Sequence, residues 1–204
     1  MSAQERSAAP LARPARDLAL MATFAGIIAV LGLLPAFYPF GAAVPITAQT
    51  LGVMLAGAVL GGRRGALSVV LFLALIAVGL PLLAGGRGGL AVFFGPSVGY
   101  LLGFPVAALV IGWITHRGGP SYKLHWGVVA NLVGGVLLLY AFGIVGTAIV
   151  ADISLNAAAV GALVFVPGDL VKAVLAAVVA RGVHRAYPGL IASRGLPIKE
   201  ASAV

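Results

Sequence analysis

Long apolar runs separated by short charged stretches constrain this chain more than any other feature of its sequence. Its 204 residues are 61% hydrophobic and only 9% charged, whereas a soluble domain carries about 25% charged residues. Several runs approach the ~20 apolar residues that a helix needs to cross a bilayer. A transmembrane barrel would instead show short segments of alternating hydrophobicity. The sequence therefore predicts a single all-α integral membrane domain.

The apolar runs predict six transmembrane helices, of which the second and third are short. They are placed at residues 18–38, 46–61, 66–82, 93–115, 125–148 and 167–186. Residues 149–166 are too short for another crossing and are predicted to form a loop with a short surface helix. We expect the membrane domain to span 17–187, between a disordered cytoplasmic tail at 1–16 and a second cytoplasmic tail at 188–204. A cleaved signal peptide is disfavoured, because the first apolar run is too long for one.

The distribution of basic residues predicts the orientation in the membrane. Of the 13 Lys and Arg residues, all except Arg87 and Lys172 lie in the N-terminal tail, in the second–third and fourth–fifth connections, or at the C-terminal end, which includes the end of the sixth helix. Cytoplasmic loops are enriched in Lys and Arg, so both termini are predicted to be cytoplasmic. The same bias accounts for the sequence pI near 10.7, and nucleic-acid binding is not needed to explain it.

Asp169 and Lys172 are the clearest candidate functional residues. They begin the last apolar helix, in the segment Val166–Ala173. Ionisable residues at membrane depth are costly and mark functional sites, and a spacing of three places both on one helix face. The alternative is structural, since Pro167 and Asp169 both suit a helix start. That alternative does not explain Lys172, so we favour a ligand site.

The start of the second helix is unusually polar for so apolar a chain, with Thr47, Gln49 and Thr50 in four residues. Gln49 both donates and accepts hydrogen bonds, which suits an amide or ureido ligand. For Gln49 we favour ligand contact or the lining of the site. For Thr47, ligand contact and helix capping remain equally good interpretations.

A glycine-rich loop, residues 79–89, carries Arg87 and Gly88. Such a loop bends sharply and brings its backbone close to a ligand, so it is predicted to act as a lid with Arg87 facing an anionic group. The alternative is a flexible connection with Arg87 among lipid headgroups.

Phe93 and Tyr100, around the entry to the fourth helix, are expected to cover an apolar ligand. Asn156 is a weaker candidate at the mouth of the same site.

Ala22 and Gly26 form a small-xxx-small face on the first helix, where a partner helix can approach closely. Packing within the domain is the alternative for faces of this kind.

The sequence contains no catalytic constellation, no metal-ligand spacing and no ATP-binding motif. We therefore expect no enzyme and no cofactor, and any ATP hydrolysis must come from a partner.

These segments, taken together in order and spacing, resemble the BioY family, the biotin-specific substrate-binding (S) components of energy-coupling-factor (ECF) vitamin transporters. The matching segments are Val44–Thr50, Leu55–Gly61, Gly79–Pro81 with Ala84–Gly89, Phe94–Phe104 and Val166–Ala173. The resemblance covers roughly residues 20–185.

The resemblance implies a six-helix S-component in the cytoplasmic membrane of a prokaryote that captures biotin outside with high affinity. Asp169 and Lys172 match the family's acidic and basic binding positions, so Asp169 is expected to accept from the ureido N–H groups. Lys172 is expected to donate either to the ureido carbonyl or to the carboxylate. The resemblance further implies docking, through Ala22 and Gly26, on a transmembrane T-component driven by ATPase subunits. The alternatives are an S-component for another small vitamin and a non-transport membrane subunit with a structural Asp/Lys pair.

Overall fold

A computed structural model describes residues 9–37, 44–117 and 121–187, with side chains from residue 14. Within these ranges the ordered elements are helical, joined by short turns and two isolated antiparallel bridges. The α-helices are α1 Ala9–Leu33, α2 Gln49–Leu60, α3 Gly62–Ala77, α4 Val98–Arg117, α5 Leu124–Leu132, α6 Leu139–Ala151, α7 Leu155–Ala162 and α8 Val166–Ala186. Residues Leu90–Phe94 and Leu163–Phe165 form 3-10 turns, and Val133–Leu138 is a π-helix that joins α5 to α6.

In the part of the chain that the structure describes, four helical stretches are long and apolar enough to cross a membrane. They are Pro14–Leu33, Val98–Arg117, Leu124–Ala151 and Leu155–Ala186. Gln49–Leu60 is a shorter apolar helix. Large apolar side chains face outward along these stretches, among them Val171, which is 67% exposed, and Ile149, which is 74% exposed. Such exposure is typical of a lipid-facing surface, and the all-α membrane architecture predicted from the apolar runs agrees with it.

The helix boundaries differ from the predicted ones for local reasons. α1 begins at Ala9, within the tail 1–16 that was expected to be disordered, and ends at Leu33 instead of residue 38. The early end follows from Pro35, which lacks an N–H and disfavours helix in the preceding residue. α3 begins at Gly62 instead of residue 66, because Gly61 makes the turn alone at φ 84°. The tail 188–204 lies outside the described residues.

The segment 149–166 is not the predicted loop. A short helix, α7, does lie there, but it continues through Leu163–Phe165 directly into α8. The sequence between Ala157 and Val166 is apolar and holds one turn-forming residue, Gly161. Continuing the helix satisfies backbone groups that an apolar loop would leave without partners.

The core lies around α4, which packs against α2, α3 and α6. Two clusters of buried side chains share α4: Phe72, Ile76 and Ile28 belong to the first, and Met54 and Ile111 belong to the second. α2, α4 and α8 all begin at one end of the bundle, where Gln49, Val98 and Val166 lie, and their last residues lie towards the basic end. The first residues of three helices therefore meet at one end, opposite most of the arginines.

Candidate functional site

A cavity opens at the end of the bundle where α2, α4 and α8 begin. The space between its walls is about 590 Å³, part of which is open solvent at the mouth. Its walls come from α2 and the residues before it, the 79–89 loop, α4, α6 and α8. The lining residues are Val44, Pro45, Ile46, Thr47, Gln49, Thr50, Leu83, Ala84, Arg87, Ser97, Tyr100, Leu101, Phe104, Leu139, Phe165, Asp169 and Lys172.

Asp169 and Lys172 form a buried ion pair in this cavity. Lys172 Nζ lies 2.9 Å from Asp169 Oδ1, and the two side chains are 16% and 5% exposed, respectively. α8 begins at Val166, three residues before Asp169, and Pro167 occupies its first turn. The pair therefore lies on one face of a first helical turn, and the predicted spacing of three places both side chains in the cavity.

Lys172 connects α8 to the start of α2. Its ammonium donates to the Thr47 carbonyl at 2.7 Å and to Thr50 Oγ1 at 3.0 Å, in addition to Asp169. An ammonium has three N–H donors, so these acceptors use all three. A ligand that accepts from Lys172 must replace one of them.

Asp169 is held by donors on both carboxylate oxygens. Thr50 Oγ1 donates to Oδ1 at 3.1 Å, and the Tyr140 hydroxyl donates to Oδ2 at 2.8 Å. Charge-assisted hydrogen bonds of this kind are stronger than neutral ones. The four side chains Asp169, Lys172, Thr50 and Tyr140, hereafter the polar network, fix the carboxylate in one orientation.

The π-helix brings Tyr140 to this network. Asn131 in α5 donates to the Ala173 carbonyl of α8 at 2.9 Å, and Tyr140 in α6 reaches Asp169 of the same helix. In an α-helix of 3.6 residues per turn, positions nine apart point in roughly opposite directions. The wider turns of Val133–Leu138 rotate Tyr140 towards the side that Asn131 occupies, so both face α8. π-helical turns are frequent at functional sites.

Gln49 and Arg87 both line the cavity, Gln49 from α2 and Arg87 from the glycine-rich loop. Gln49 is 3% exposed, and its Nε2 donates to the Leu82 carbonyl at 3.3 Å, which ties α2 to the glycine-rich loop. Arg87 is exposed but lines the cavity, and its Nε donates to the Ala84 carbonyl at 3.1 Å. The loop thus covers the cavity beside the polar network.

Tyr100 lines the cavity and packs edge-on against Phe165, with ring centroids 6.1 Å apart. Close packing of α4 and α6 holds it there, because a Cβ at Gly146 would lie 2.5 Å from the Gly99 Cα. Only glycines allow the two backbones to approach in this way. Thr47 also lines the cavity, but it contacts Lys172 through its backbone carbonyl.

Three predicted site residues do not line the cavity. Phe93 lies in the 3-10 turn and packs against the core. Gly88 packs against the Leu80 backbone inside the loop, and Asn156 is exposed on α7. In each case the local element points the residue elsewhere, which the linear sequence does not reveal.

Sequence reasoning missed Tyr140 and Ser97, and it did not select Thr50 as a contact. Tyr140 lies within a long apolar run, and its only signal is its own hydroxyl. Ser97 lies just before α4, where a serine ordinarily caps a helix. Thr50 belongs to the polar stretch at the start of the second helix, and its position one turn from Thr47 is the sequence signal that indicates a cavity residue.

Ala22 and Gly26 are both exposed on α1. A Cβ added at Gly26 would meet nothing within 4 Å. The small-residue face is therefore not used for packing inside the described part of the chain.

Among the described residues, no group of three His, Cys, Asp or Glu side chains is placed to hold a metal ion.

Comparison with known proteins gives one consistent result. A family model described as "BioY family" matches residues 2–189. The chain is 48% identical over 179 residues to a biotin transporter BioY of Rhizobium etli, covering 85% of this chain and 95% of that protein. It is 48% identical over 190 residues to a biotin transporter BioY of Rhodobacter capsulatus, covering 88% and 99%.

A solved structure is also similar. The crystal structure of the S-component for biotin from an ECF-type ABC transporter superposes with a TM-score of 0.79 and 34% sequence identity. The match covers 87% of this chain and 95% of that one. Fold and sequence similarity thus extend over nearly the whole membrane domain.

Proposed function

The chain belongs to the BioY family, and from this membership we propose that it captures biotin at the extracytoplasmic face as the S-component of an ECF transporter. The observation that carries the proposal is the polar network in the wall of an otherwise apolar cavity. Biotin combines a ureido group, an apolar thiophane ring and a carboxylate tail. A mostly apolar cavity with a few placed polar groups is the usual site for such a ligand.

Asp169 accepts from the ureido N–H groups in this proposal, since a carboxylate is an acceptor and biotin offers two N–H donors. Lys172 or Thr50 exchanges one of its contacts within the network for the ureido oxygen. Tyr100 covers the apolar ring, with Phe104 and Phe165 on the same cavity wall. Gln49 lines the site and holds the glycine-rich loop against it.

The proposed topology has six crossings with both termini in the cytoplasm. α1, α2, α3 and α4 each form one crossing, the continuous stretch 124–151 forms the fifth, and 155–186 forms the sixth. Support comes from charge: Arg63, Arg64 and Arg117 lie at the end of the bundle opposite the cavity, and Lys and Arg favour the cytoplasmic side. The cavity then opens outward, in the cytoplasmic membrane of a prokaryote.

The proposed partners are a T-component and its ATPase subunits. The exposed face at Ala22 and Gly26 supports a close helix–helix contact. This chain has Gly26 at the second small position, which allows an approach at least as close as alanine does.

Residues 1–16, which include the first turns of α1, and residues 188–204 are proposed to be cytoplasmic tails.

Equilibrium binding of biotin to the detergent-purified protein tests the proposal, with desthiobiotin and thiamine as competitors. We expect tight biotin binding that desthiobiotin competes for and thiamine does not. A folded sample that binds thiamine in preference would indicate another vitamin. A folded sample without ligand binding would make Asp169 and Lys172 a structural pair.

A further inference from the structure

A second cavity lies at the basic end of the bundle, opposite the ligand cavity. Its walls come from α1, the turn between α2 and α3, the start of α3 and the end of α4. The space between these walls is about 1140 Å³, part of which is open solvent. Charged and apolar side chains both line it, among them Asp17, Met21, Arg63, Arg64, Leu67 and His116. This lining suits a ligand with a charged end and an apolar part.

The charge in this second cavity is positive and is concentrated on Arg63. Arg64 lies 3.0 Å from Asp17, which neutralises it. Arg63 is exposed and has no ion-pair partner in the part of the chain that the structure describes. The cavity therefore favours an anion. A guanidinium group matches a phosphate especially well, because its N–H donors form paired hydrogen bonds to two oxygens.

Arg63 is held at the depth of Trp113, which indicates the level of the membrane–water interface. A Cβ at Gly62, the residue before Arg63, would lie 2.8 Å from the Leu109 carbonyl and 3.5 Å from the Trp113 N, so the start of α3 packs closely on α4. Trp113 is exposed, and the Arg117 guanidinium lies 3.5 Å from its ring centroid. Tryptophan is enriched at the level of lipid headgroups. Arg63 therefore lies where the phosphates of the membrane are found.

An apolar stripe continues from Arg63 along the outer surface of α3. It consists of Leu67, Val70 and Ala74, which are all exposed. Spacings of three and four residues place them on one helix face with Arg63. An acyl chain can follow this stripe while its phosphate stays at Arg63. A soluble anion or an acidic segment of a partner protein would use the guanidinium but not the stripe.

We propose that this second cavity binds the headgroup of an anionic phospholipid, with the phosphate on Arg63 and an acyl chain along the apolar stripe. The site lies at the opposite end of the bundle from the ligand cavity, so it goes beyond the proposed function and does not depend on which vitamin is carried. In the proposed topology the lipid belongs to the cytoplasmic leaflet. Met21 lines the same cavity and directly precedes Ala22, so a bound lipid lies beside the proposed docking face of α1.

Native mass spectrometry of the detergent-purified protein tests this site, with phosphatidylglycerol and phosphatidylcholine as probes. The wild-type protein should bind phosphatidylglycerol about tenfold more tightly than phosphatidylcholine, and Arg63→Gln should remove that preference, because it deletes the charge that the phosphate contacts. Glycerophosphoglycerol carries the same phosphate diester without acyl chains. It should bind the wild-type protein at least about tenfold more weakly than phosphatidylglycerol, since the apolar contact is lost.

Arg185→Gln is the matched control for Arg63→Gln. It removes the same charge from the same end of the bundle, at an exposed position of α8 that does not line this cavity. The affinity for phosphatidylglycerol should change by less than about threefold, because salt screens exposed charges that do not contact the lipid. Melting temperatures and biotin binding of both variants should equal those of the wild-type protein, since neither residue lines the ligand cavity.

Three results would overturn the proposal. Equal losses in Arg63→Gln and Arg185→Gln would mean a general attraction of anionic lipids to the basic end. Equally tight binding of glycerophosphoglycerol would make the cavity a site for a soluble anion. No preference of the wild-type protein for phosphatidylglycerol would favour an acidic segment of a partner protein as the occupant. Biotin binding is measured separately, so these results leave the proposed function untouched.

Discussion

The two ends of the bundle offer two ion pairs for comparison, with nearly the same distance between the charged groups and very different surroundings. At the cavity, Lys172 and Asp169 are 2.9 Å apart and are 16% and 5% exposed. At the opposite end, Arg64 and Asp17 are 3.0 Å apart and are 31% and 34% exposed. The first pair has additional hydrogen-bond partners from three other residues.

The difference in burial separates a site from a surface contact. Exposed pairs contribute about 0–1 kcal/mol to stability. A buried charge left without its partner costs roughly 3–5 kcal/mol, and replacing a whole buried pair by well-packed apolar residues of similar volume is often neutral or stabilising. The pair at the cavity is thus a poor means of stabilising the fold, and its position in a ligand-sized cavity, hydrogen-bonded to Thr50 and Tyr140, points to ligand chemistry.

The largest expected effect is on biotin affinity when one charge of the buried pair is removed. Asp169→Ala and Lys172→Ala should each weaken binding at least about 100-fold, because each leaves an unpaired charge in the cavity. Titration calorimetry on the purified variants measures it. Asp17→Ala breaks the exposed pair and is the control, with unchanged affinity expected. Comparable losses in Asp17→Ala would mean that the two pairs do not differ as described.

Removal of the Tyr140 hydroxyl should have the next largest effect. Tyr140→Phe deletes the donor to Asp169 Oδ2, and we expect about tenfold weaker biotin binding, since bonds to charged groups exceed neutral ones. The same calorimetric titration applies, with melting temperature as the check on folding.

Tyr122→Phe is the matched control for that substitution. The Tyr122 hydroxyl is buried without a hydrogen-bond partner among the described residues, and burial raises its pKa to about 12, so it stays neutral at physiological pH. Its removal should leave biotin affinity within about twofold, as no ligand contact is lost. Equal effects of the two substitutions would exclude a specific role for Tyr140.

Two neighbouring threonines sharpen the comparison within the polar network itself. Thr50 uses its hydroxyl to join Lys172 and Asp169, whereas Thr47 contacts Lys172 through its backbone. Thr50→Val should therefore weaken biotin binding about tenfold, and Thr47→Val by less than about threefold. Fluorescence or calorimetric titration of the two variants with biotin measures the ratio of their affinities. A larger effect at Thr47 would indicate that its side chain contacts the ligand.

The sequence predicted those features that depend on local pattern. The apolar run before Arg117 predicted α4, and Val166–Ala173 predicted the start of α8 with Asp169 and Lys172 on one face. Their pairing followed from helical spacing alone. The polar start of α2 likewise identified Gln49 and Thr47 as residues that line the cavity.

Features that depend on packing between helices were not predictable. Tyr140 reaches Asp169 only because a π-helix intervenes, and the sequence Val133–Leu138 carries no distinct signal for it. Phe93 and Asn156 were expected at the mouth, but their elements direct them to the core and to the surface. Which residues share a cavity is set by tertiary contacts between distant segments, and hydropathy does not encode them.

The smallest expected effect on biotin binding comes from the outer face of α1. Gly26→Leu places a large side chain on an exposed surface, so the isolated protein should bind biotin with unchanged affinity. Association with a T-component and its ATPases should be lost, because close helix approach requires small residues. Co-purification with the co-expressed module measures it.

Val171→Leu, on the exposed face of α8, is the control for Gly26→Leu. It enlarges an outward-facing side chain on a different helix and should leave the association unchanged. Retained association in Gly26→Leu, or its loss in Val171→Leu, would move the docking surface elsewhere.

The most direct test of a ligand role for the polar network removes both charges together. The double variant Asp169→Asn/Lys172→Gln keeps the size of the side chains and leaves no unpaired charge. Its melting temperature, with and without biotin, is compared with that of the wild-type protein. We expect biotin to raise the wild-type melting temperature, because a ligand that binds the folded state stabilises it. The double variant should melt close to the ligand-free wild type and show no rise with biotin. A marked loss of stability in the double variant, with no effect of biotin on the wild-type protein, would contradict this account and make the network a structural device.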